Sequence, residues 1–174
     1  MNESRNQSFK KISISVFFPC FNEKDSVGPL VLKSLDVVGR ISDNFEIIIV
    51  DDGSSDGTGK IADDLADKYE QVIAVHHQVN SGYGSALQTG FNAASKELVF
   101  YTDGDGQFDI GELPGLLEYI KDYDIVSCFR MNRREGLLRR FNAWCWGKLV
   151  CAMFRMNLKD IDCAFKLYKR EIFD

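Results

Sequence analysis

Histidine is nearly missing from this chain; the two present, His76 and His77, are adjacent. Cysteine occurs five times, at positions 20, 128, 145, 151 and 163, and never as a C-x-x-C pair. That spacing excludes a zinc site of the finger or ribbon type. The two histidines read as structural or exposed residues, not as metal ligands. Four of the five cysteines sit in apolar surroundings, which predicts buried, reduced thiols. No apolar segment follows the polar start "MNESRNQSFKK", so no signal peptide is expected. No apolar run reaches the length of about 18 residues that a membrane helix needs. A cytoplasmic location is the default that follows. Basic residues are not in excess either: the net charge is −5 and the pI about 5.1. Nucleic acid is therefore not the expected partner, although a divalent cation could bring a phosphate to an acidic site.

What is present is an alternation. Short apolar runs, "ISISVFF" (12–18), "FEIIIV" (45–50), "VIAV" (72–75), "ELVFYT" (97–102) and "DIVSC" (124–128), are separated by helical stretches. The helices are expected over roughly 25–40, 57–69, 84–95, 111–121 and 137–155. Continuous Val/Ile/Phe runs suit strands covered on both faces. Their alternation with helices predicts βαβ units and a three-layer α/β domain with a mostly parallel central sheet. Right-handed crossovers then place the loops after the strands along one edge, where such sheets bind ligands. The 174 residues suit a single domain. The chain stops at "REIFD", where another helix would begin, which predicts a catalytic domain (1–174) truncated at its C-terminus.

Polar clusters fall at the ends of four of these strands: "PCFNE", "DDGSSDGTG", "HHQVNSGYGS" and "DGDGQFD". Asp51 and Asp52 end a buried strand, where carboxylates can accept hydrogen bonds from a base or a ribose. Asp56 and Thr58 can cap the next helix. The glycines at 53, 57 and 59 match neither a phosphate loop nor a G-x-G-x-x-G turn, so a nicotinamide dehydrogenase is poorly supported. Asp103, Asp105 and Gln107 offer hard oxygen ligands on alternate residues, suited to Mg²⁺ or Mn²⁺ with a substrate diphosphate. An EF-hand fails, because Phe108 and Pro114 stand where Gly and Glu are needed. The plain alternative is a solvated turn that caps the helix after Asp109. Gly82, Gly84 and Gly90 either form an anion-binding turn or allow close helix–sheet packing.

Residues 130–155 hold seven basic side chains against one acid, Glu135. Leu138, Phe141, Cys145, Leu149 and Met153 recur at near-helical spacing, which predicts an amphipathic helix with its apolar face on the sheet. Arg130 with Arg133 or Arg134 could neutralise phosphates, and the Trp/Arg face could touch a membrane surface. Asp160 and Asp162 are acids in an otherwise apolar stretch, where a carboxylate beside a metal–diphosphate site is a candidate general base. Pairing with Lys159 or Lys166 is the alternative.

In order along the chain, "VFFPCFNE", "IIIVDDGSSDGT", "NSGYGSALQTGF", "TDGDGQFD" and "DIDCAFKLYKREIF" resemble the family-two glycosyltransferases. The closest branch is the dolichyl-phosphate mannosyltransferase-like and undecaprenyl-phosphate glycosyltransferase group. The resemblance covers about residues 12 to 172. It implies a GT-A fold and inverting transfer from a UDP- or GDP-linked sugar. By position it implies that Pro19, Phe21 and Glu23 line a nucleoside pocket. Asp51 and Asp52 would contact base and ribose, and Gly82 would lie by the nucleotide sugar. Asp103 would lie near ribose and metal, with Asp105 and Gln107 as metal ligands. Arg130 and the arginines after it would approach the diphosphate or an acceptor phosphate, and Asp162 matches the acid ahead of a Cys-Gly-Phe-Lys-like stretch. Phe21 stands where Tyr is frequent, Ser81 where a basic residue is common, and Phe129 and Ala164 where Gly is usual.

The expected activity is transfer to an acceptor in cell-wall or surface-polysaccharide synthesis. A polyprenyl phosphate at the inner face of the membrane is one candidate acceptor and a sugar hydroxyl another. Rival readings are a nucleotide-sugar binding module without turnover and a nucleotidyltransferase on a similar scaffold. The second needs a basic triphosphate loop, and "PCFNEKDSVG" supplies only Lys24.

Overall fold

Strand β1 (Ser13–Cys20) is buried over nearly its whole length, because its side chains feed two different cores. Ile14, Val16 and Phe18 face one side of the sheet, and Phe17 faces the other. The same alternation runs through β2 (Asn44–Asp51), with Ile47 and Ile49 on one face and Ile48 and Val50 on the opposite one. The computed structural model describes residues 12–129, 146–151, 153, 160 and 163–173. Strands β3 (Val72–His76), β4 (Leu98–Thr102), β5 (Ile125–Ser127) and β6 (Phe165–Lys169) complete a six-stranded sheet in the order β3-β2-β1-β4-β6-β5. Strands β1 to β4 are mutually parallel; β6 runs antiparallel to both β4 and β5.

Helices cover both faces, which makes the predicted three layers. Helices α1 (Val27–Gly39) and α2 (Thr58–Lys68) pack on the larger core, through Val27, Leu30, Val31, Val38, Ala62 and Leu65. Helix α3 (Tyr83–Ala93) covers the other face, where Phe17, Phe91, Tyr101 and Tyr168 interlock as stacked and edge-on rings. Gly90 lets α3 approach that closely, since a Cβ there would land inside the Phe17 ring. Gly84 and Gly82 have open space at that position and do not serve packing. Gly90→Ala should therefore lower stability by about 1–3 kcal/mol despite the better helix propensity of alanine. A urea midpoint equal to or above the wild type's would contradict this.

Two expectations need correction. The helix expected over 111–121 is a 3₁₀ turn (Ile110–Glu112) followed by one short helix, α4 (Leu113–Leu116). Its apolar spacing was real, because Leu113, Leu116, Leu117 and Ile120 are all buried. Gly115 in mid-segment weakens the helix, and turns carry the last two of those residues into the core. The apolar face expected over 137–155 is also not all covered. Residues 146–151 are helical, yet Leu149 is 52% exposed and Met153 68%. Leu138, Phe141 and Cys145 lie outside the described residues. Among the described cysteines, Cys20 and Cys163 are buried and Cys128 and Cys151 half-buried, all four as free thiols. Among the described residues no helix is long and apolar enough to cross a membrane.

Candidate active site

Because β1 lies between β2 and β4, the loops that follow all three strands meet at one edge. Two backbone bonds tie them there. The Asp52 amide donates to the Cys20 carbonyl (2.9 Å), and the Gly104 amide donates to the Pro19 carbonyl (3.3 Å). The acidic ends of β2 and β4 therefore stand two strand spacings apart, roughly 10 Å, astride the end of β1. Pro19 fits in this central strand because pairing with β4 has already ended at Phe17. It is buried in the sheet, while Phe21 just beyond it is 46% exposed.

The "DGSSDGT" turn is a clamp on the "FNE" loop. The Asn22 amide donates to Ser54 Oγ (2.9 Å), the Glu23 amide to Thr58 Oγ1 (2.8 Å) and the Lys24 amide to Asp56 Oδ2 (3.1 Å). In return the Ser55 amide donates to Asn22 Oδ1 (3.0 Å). Asn22 is held at φ 57, the left-handed region that asparagine tolerates. The Glu23 side chain accepts from Ser26 Oγ, and its carbonyl accepts from the amides that open α1. Polar residues that look free in sequence are thus consumed in joining two loops.

Asp51 and Asp52 are both nearly closed off, at 5% and 3% exposure. Asp51 accepts from the Ser54 amide (3.1 Å) and pairs with His76 Nδ1 (3.0 Å). Asp52 accepts from the amides of Ser81 and Gly82 (both 2.8 Å) and pairs with His77 Nδ1 (2.6 Å). Burial alone would push the Asp52 carboxyl up, but the Ser81 amide, His77 and the Gly82 amide outweigh it, and its pKa falls below the ordinary value. Gly82 adopts φ +90, which requires glycine and turns its amide onto Asp52. The histidines, expected to be structural or exposed, are the partners of this aspartate pair. Sequence reasoning missed that link, because residues 51–52 and 76–77 meet only through parallel pairing of Asp51 with His76.

The three aspartates of "DGDGQFD" separate into two roles. Asp103 accepts from the Tyr83 hydroxyl (2.8 Å), which joins α3 to the β4 loop. Burial first, then the Asp103 charge, pushes the Tyr83 phenol up, so it stays a donor. Asp105 is half-buried and accepts from the Gln107 amide (2.9 Å) across a turn in which Gly106 has φ +71; Gln107 is exposed. Asp109 instead caps the 3₁₀ turn through the Gly111 amide and pairs with Lys33 Nζ (2.7 Å) on α1. Lys33 is the main cause that holds the Asp109 carboxyl below its ordinary value. The solvated-cap alternative is therefore right for Asp109.

One buried atom reports the convergence. Burial pushes the Cys20 thiol well up, and the charges of Glu23, Asp51, Asp103 and Asp105 each add to it. Four carboxylates from three loops thus contribute to the field at the end of β1. Among the described residues, no three His, Cys, Asp or Glu side chains stand close enough to hold a metal by themselves. The oxygen donors of Asp103, Asp105 and Gln107, in this negative field, suit a hard cation that takes its other ligands from a diphosphate. Arg130 and Asp162 lie outside the described residues; Asp160 is buried. A groove lined by Ser95, Lys96, Lys169 and Arg170 lies at the opposite edge, where β4 begins, and belongs to no part of this cluster.

The model of the family described as "Glycosyl transferase family 2" matches residues 15–174. The chain belongs to glycosyl transferase family 2. It is a glycosyltransferase domain. A Proteus mirabilis undecaprenyl-phosphate 4-deoxy-4-formamido-L-arabinose transferase is 31% identical over 170 residues, 96% of this chain and 52% of that protein. A Rhizobium johnstonii dodecaprenyl-phosphate galacturonate synthase is 32% identical over 171 residues, 96% of this chain and 51% of that protein. The chain spans about half the length of the curated relatives it matches. Among solved structures, glucosyl-3-phosphoglycerate synthase from Mycobacterium tuberculosis, in complex with Mn²⁺, UDP and phosphoglyceric acid, superposes with a TM-score of 0.68. It is 22% identical and covers 97% of this chain, which spans 59% of that one. The Pyrobaculum calidifontis mannosyltransferase in complex with GDP-Man and Mn²⁺ gives 0.61 at 23% identity, over 93% of this chain and 46% of that one. The fold of this glycosyltransferase domain is GT-A, as the resemblance implies.

Proposed function

We propose that this chain carries the nucleotide-sugar site of an inverting, metal-dependent glycosyltransferase whose acceptor is a polyprenyl phosphate. The observation that carries the reading is the meeting of the loops after β1, β2 and β4 at one sheet edge, tied by the Asp52 and Gly104 amides, which brings the segments of Glu23, Asp51, Asp103 and Asp105 together. A carboxylate cluster repels a bare diphosphate, so the site suits that ligand only with a cation between them. The relatives that act on undecaprenyl and dodecaprenyl phosphates favour a polyprenyl phosphate over a sugar hydroxyl. Such an acceptor would be met at the inner face of a membrane.

In this reading the exposed Phe21 and the Glu23 loop form the nucleoside wall, braced by the "DGSSDGT" clamp. Asp51 and Asp52 hold that wall and the turn at Ser81–Gly82, and offer the base and ribose whatever acceptor capacity the protein leaves free. Asp105 and Gln107, with Asp103 beside them, would hold Mg²⁺ or Mn²⁺. The metal would supply stabilisation of negative charge on the leaving nucleoside diphosphate. Inversion needs one displacement: an acceptor phosphate oxygen bonds to the anomeric carbon as the carbon–oxygen bond to the diphosphate breaks. That oxygen is already ionised, so no strong base is needed. Arg130 is assigned to the phosphates. Asp162 is assigned to the acceptor side, where it would act as a base only for a hydroxyl acceptor.

The test is calorimetric titration of UDP and GDP with and without Mn²⁺, followed by product assays with UDP- and GDP-linked sugars and a short polyprenyl phosphate. The expected result is metal-dependent binding of one nucleotide and a lipid-linked sugar product. Binding of neither nucleotide would defeat the reading. Pyrophosphate release from a nucleoside triphosphate would replace it with nucleotidyl transfer.

A further inference from the structure

His76 has a carboxylate on each ring nitrogen. Nδ1 stands 3.0 Å from Asp51 Oδ2 and Nε2 2.9 Å from Asp63 Oδ1 on α2. An ionised carboxylate only accepts, so each of these contacts needs a proton on the nitrogen. A neutral imidazole carries one such proton and would turn a lone pair toward an anion. The arrangement therefore calls for the imidazolium. Asp51 foremost, then Asp63, pushes the ring's pKa above its ordinary value against the effect of burial. Asp51 from β2 and Asp63 from α2 are the charged groups that face the ring among the described residues. The neighbouring His77 differs: its Nε2 meets Thr89 Oγ1 (2.9 Å), a hydroxyl that can donate, so it needs no second proton.

The fold makes room for the His76 pair. Gly59 lies in the first turn of α2, and a Cβ there would stand 2.6 Å from Asp51 Oδ2 and 3.4 Å from His76 Nδ1. Any side chain at 59 would wedge the two apart. From Asp51 the connection continues. Its other oxygen accepts from the Ser54 amide (3.1 Å), and Ser54 Oγ accepts from the Asn22 amide (2.9 Å). Asn22 lies between Phe21 and Glu23. A continuous chain of hydrogen bonds thus runs from Asp63 on the surface of α2 to the loop assigned to the nucleoside.

We infer that His76 is a positioning residue for nucleotide binding: held as a cation by Asp63, it fixes Asp51 and, through Ser54, the Phe21–Glu23 loop that receives the donor's nucleoside. This rests on the nucleotide-sugar reading above. As pH rises and the imidazolium loses one of its two protons, the single proton left has to serve two carboxylates; Asp51 loses its counter-charge and the loop's anchor weakens. Nucleotide affinity falls with it. Removing Asp63 leaves one carboxylate to hold the proton, so the fall occurs at lower pH.

The experiment is titration of UDP and GDP, with Mg²⁺, into wild type, Asp63→Asn and His76→Asn between about pH 5 and 8. The nucleotide's own phosphate titration is common to all three proteins, so differences between them report the ring. Wild-type affinity should fall by about tenfold across the range. The midpoint of Asp63→Asn should lie about one pH unit lower. His76→Asn, which has nothing to titrate there, should show only the nucleotide's own dependence. An Asp63 with a purely structural role would change the melting temperature and leave the midpoint in place. Coincident midpoints for wild type and Asp63→Asn, or wild-type pH dependence surviving in His76→Asn, overturn the inference alone. If Asp63→Asn does not fold, the His76→Asn profile decides. Absence of nucleotide binding by wild type at every pH removes the nucleotide-sugar reading and this inference with it.

Discussion

Asp105→Ala should lower metal-dependent affinity for the bound nucleotide by at least about 100-fold, while the melting temperature barely moves. The asymmetry follows from what Asp105 touches. It accepts from the Gln107 amide, across a two-residue turn that is open to solvent. Loss of one such bond costs about 0.5–1.5 kcal/mol at most, and water replaces it. A cation held by Asp105 and a diphosphate has no comparable substitute. Asp109→Ala is the matching control from the same segment. It removes the bond to Lys33 and the cap on the Gly111 amide, so it should cost stability and leave nucleotide affinity alone. Calorimetry with Mn²⁺ and with EDTA, alongside thermal melts, separates the two. Equal nucleotide affinity in Asp105→Ala and wild type would remove Asp105 from the metal site.

Asp52→Ala, unlike Asp105→Ala, should cost about 3 kcal/mol or more of stability. The carboxylate is 3% exposed and satisfies the Ser81 amide, the Gly82 amide and His77 Nδ1. Truncation leaves three part-buried donors without their acceptor, at up to about 1–3 kcal/mol for each one that water does not reach. It also frees the turn that starts α3, and with it the Tyr83 hydroxyl that meets Asp103. The pH dependence has a definite sign. The folded pKa lies below the unfolded one, so the stabilisation is complete above the ordinary carboxylate value near 4 and is lost as pH falls through the lower, folded value. Urea unfolding should show this acid limb in wild type and a flatter one in Asp52→Asn. If Asp52→Ala melts like wild type, the three hydrogen bonds are not holding the turn.

The two substitutions separate groups that the sequence presents alike. Asp52 and Asp105 both follow an apolar run and both sit beside glycine. One lies at a strand end with amides converging on it, and the other in a turn at the rim. That difference is created by the loop from His77 to Gly82, which closes over Asp52, and by nothing of similar reach over Asp105 among the described residues. Asp103 and Asp109 are both engaged by the protein, Asp103 by the Tyr83 hydroxyl on α3 and Asp109 by Lys33 on α1.

Much was legible because it depends on neighbours in the chain. The runs "ISISVFF" and "FEIIIV" can bury continuous branched side chains only as central strands, and "FNE", "DDGSSDGT" and "DGDGQ" have to fall beyond the ends of those strands. Layering, the parallel core and the acidic edge all followed from that. The antiparallel β6 between β4 and β5, the Asp–His pairs, and the consumption of Ser54, Ser55, Asp56 and Thr58 in bracing another loop did not. These depend on which strands become neighbours, a choice made by long-range packing between segments 25 or more residues apart. Local pattern decides which residues reach the sheet edge, since period and turn chemistry act over a few residues; only the closed sheet decides which of those carboxylates are taken by the protein and which are left for a ligand.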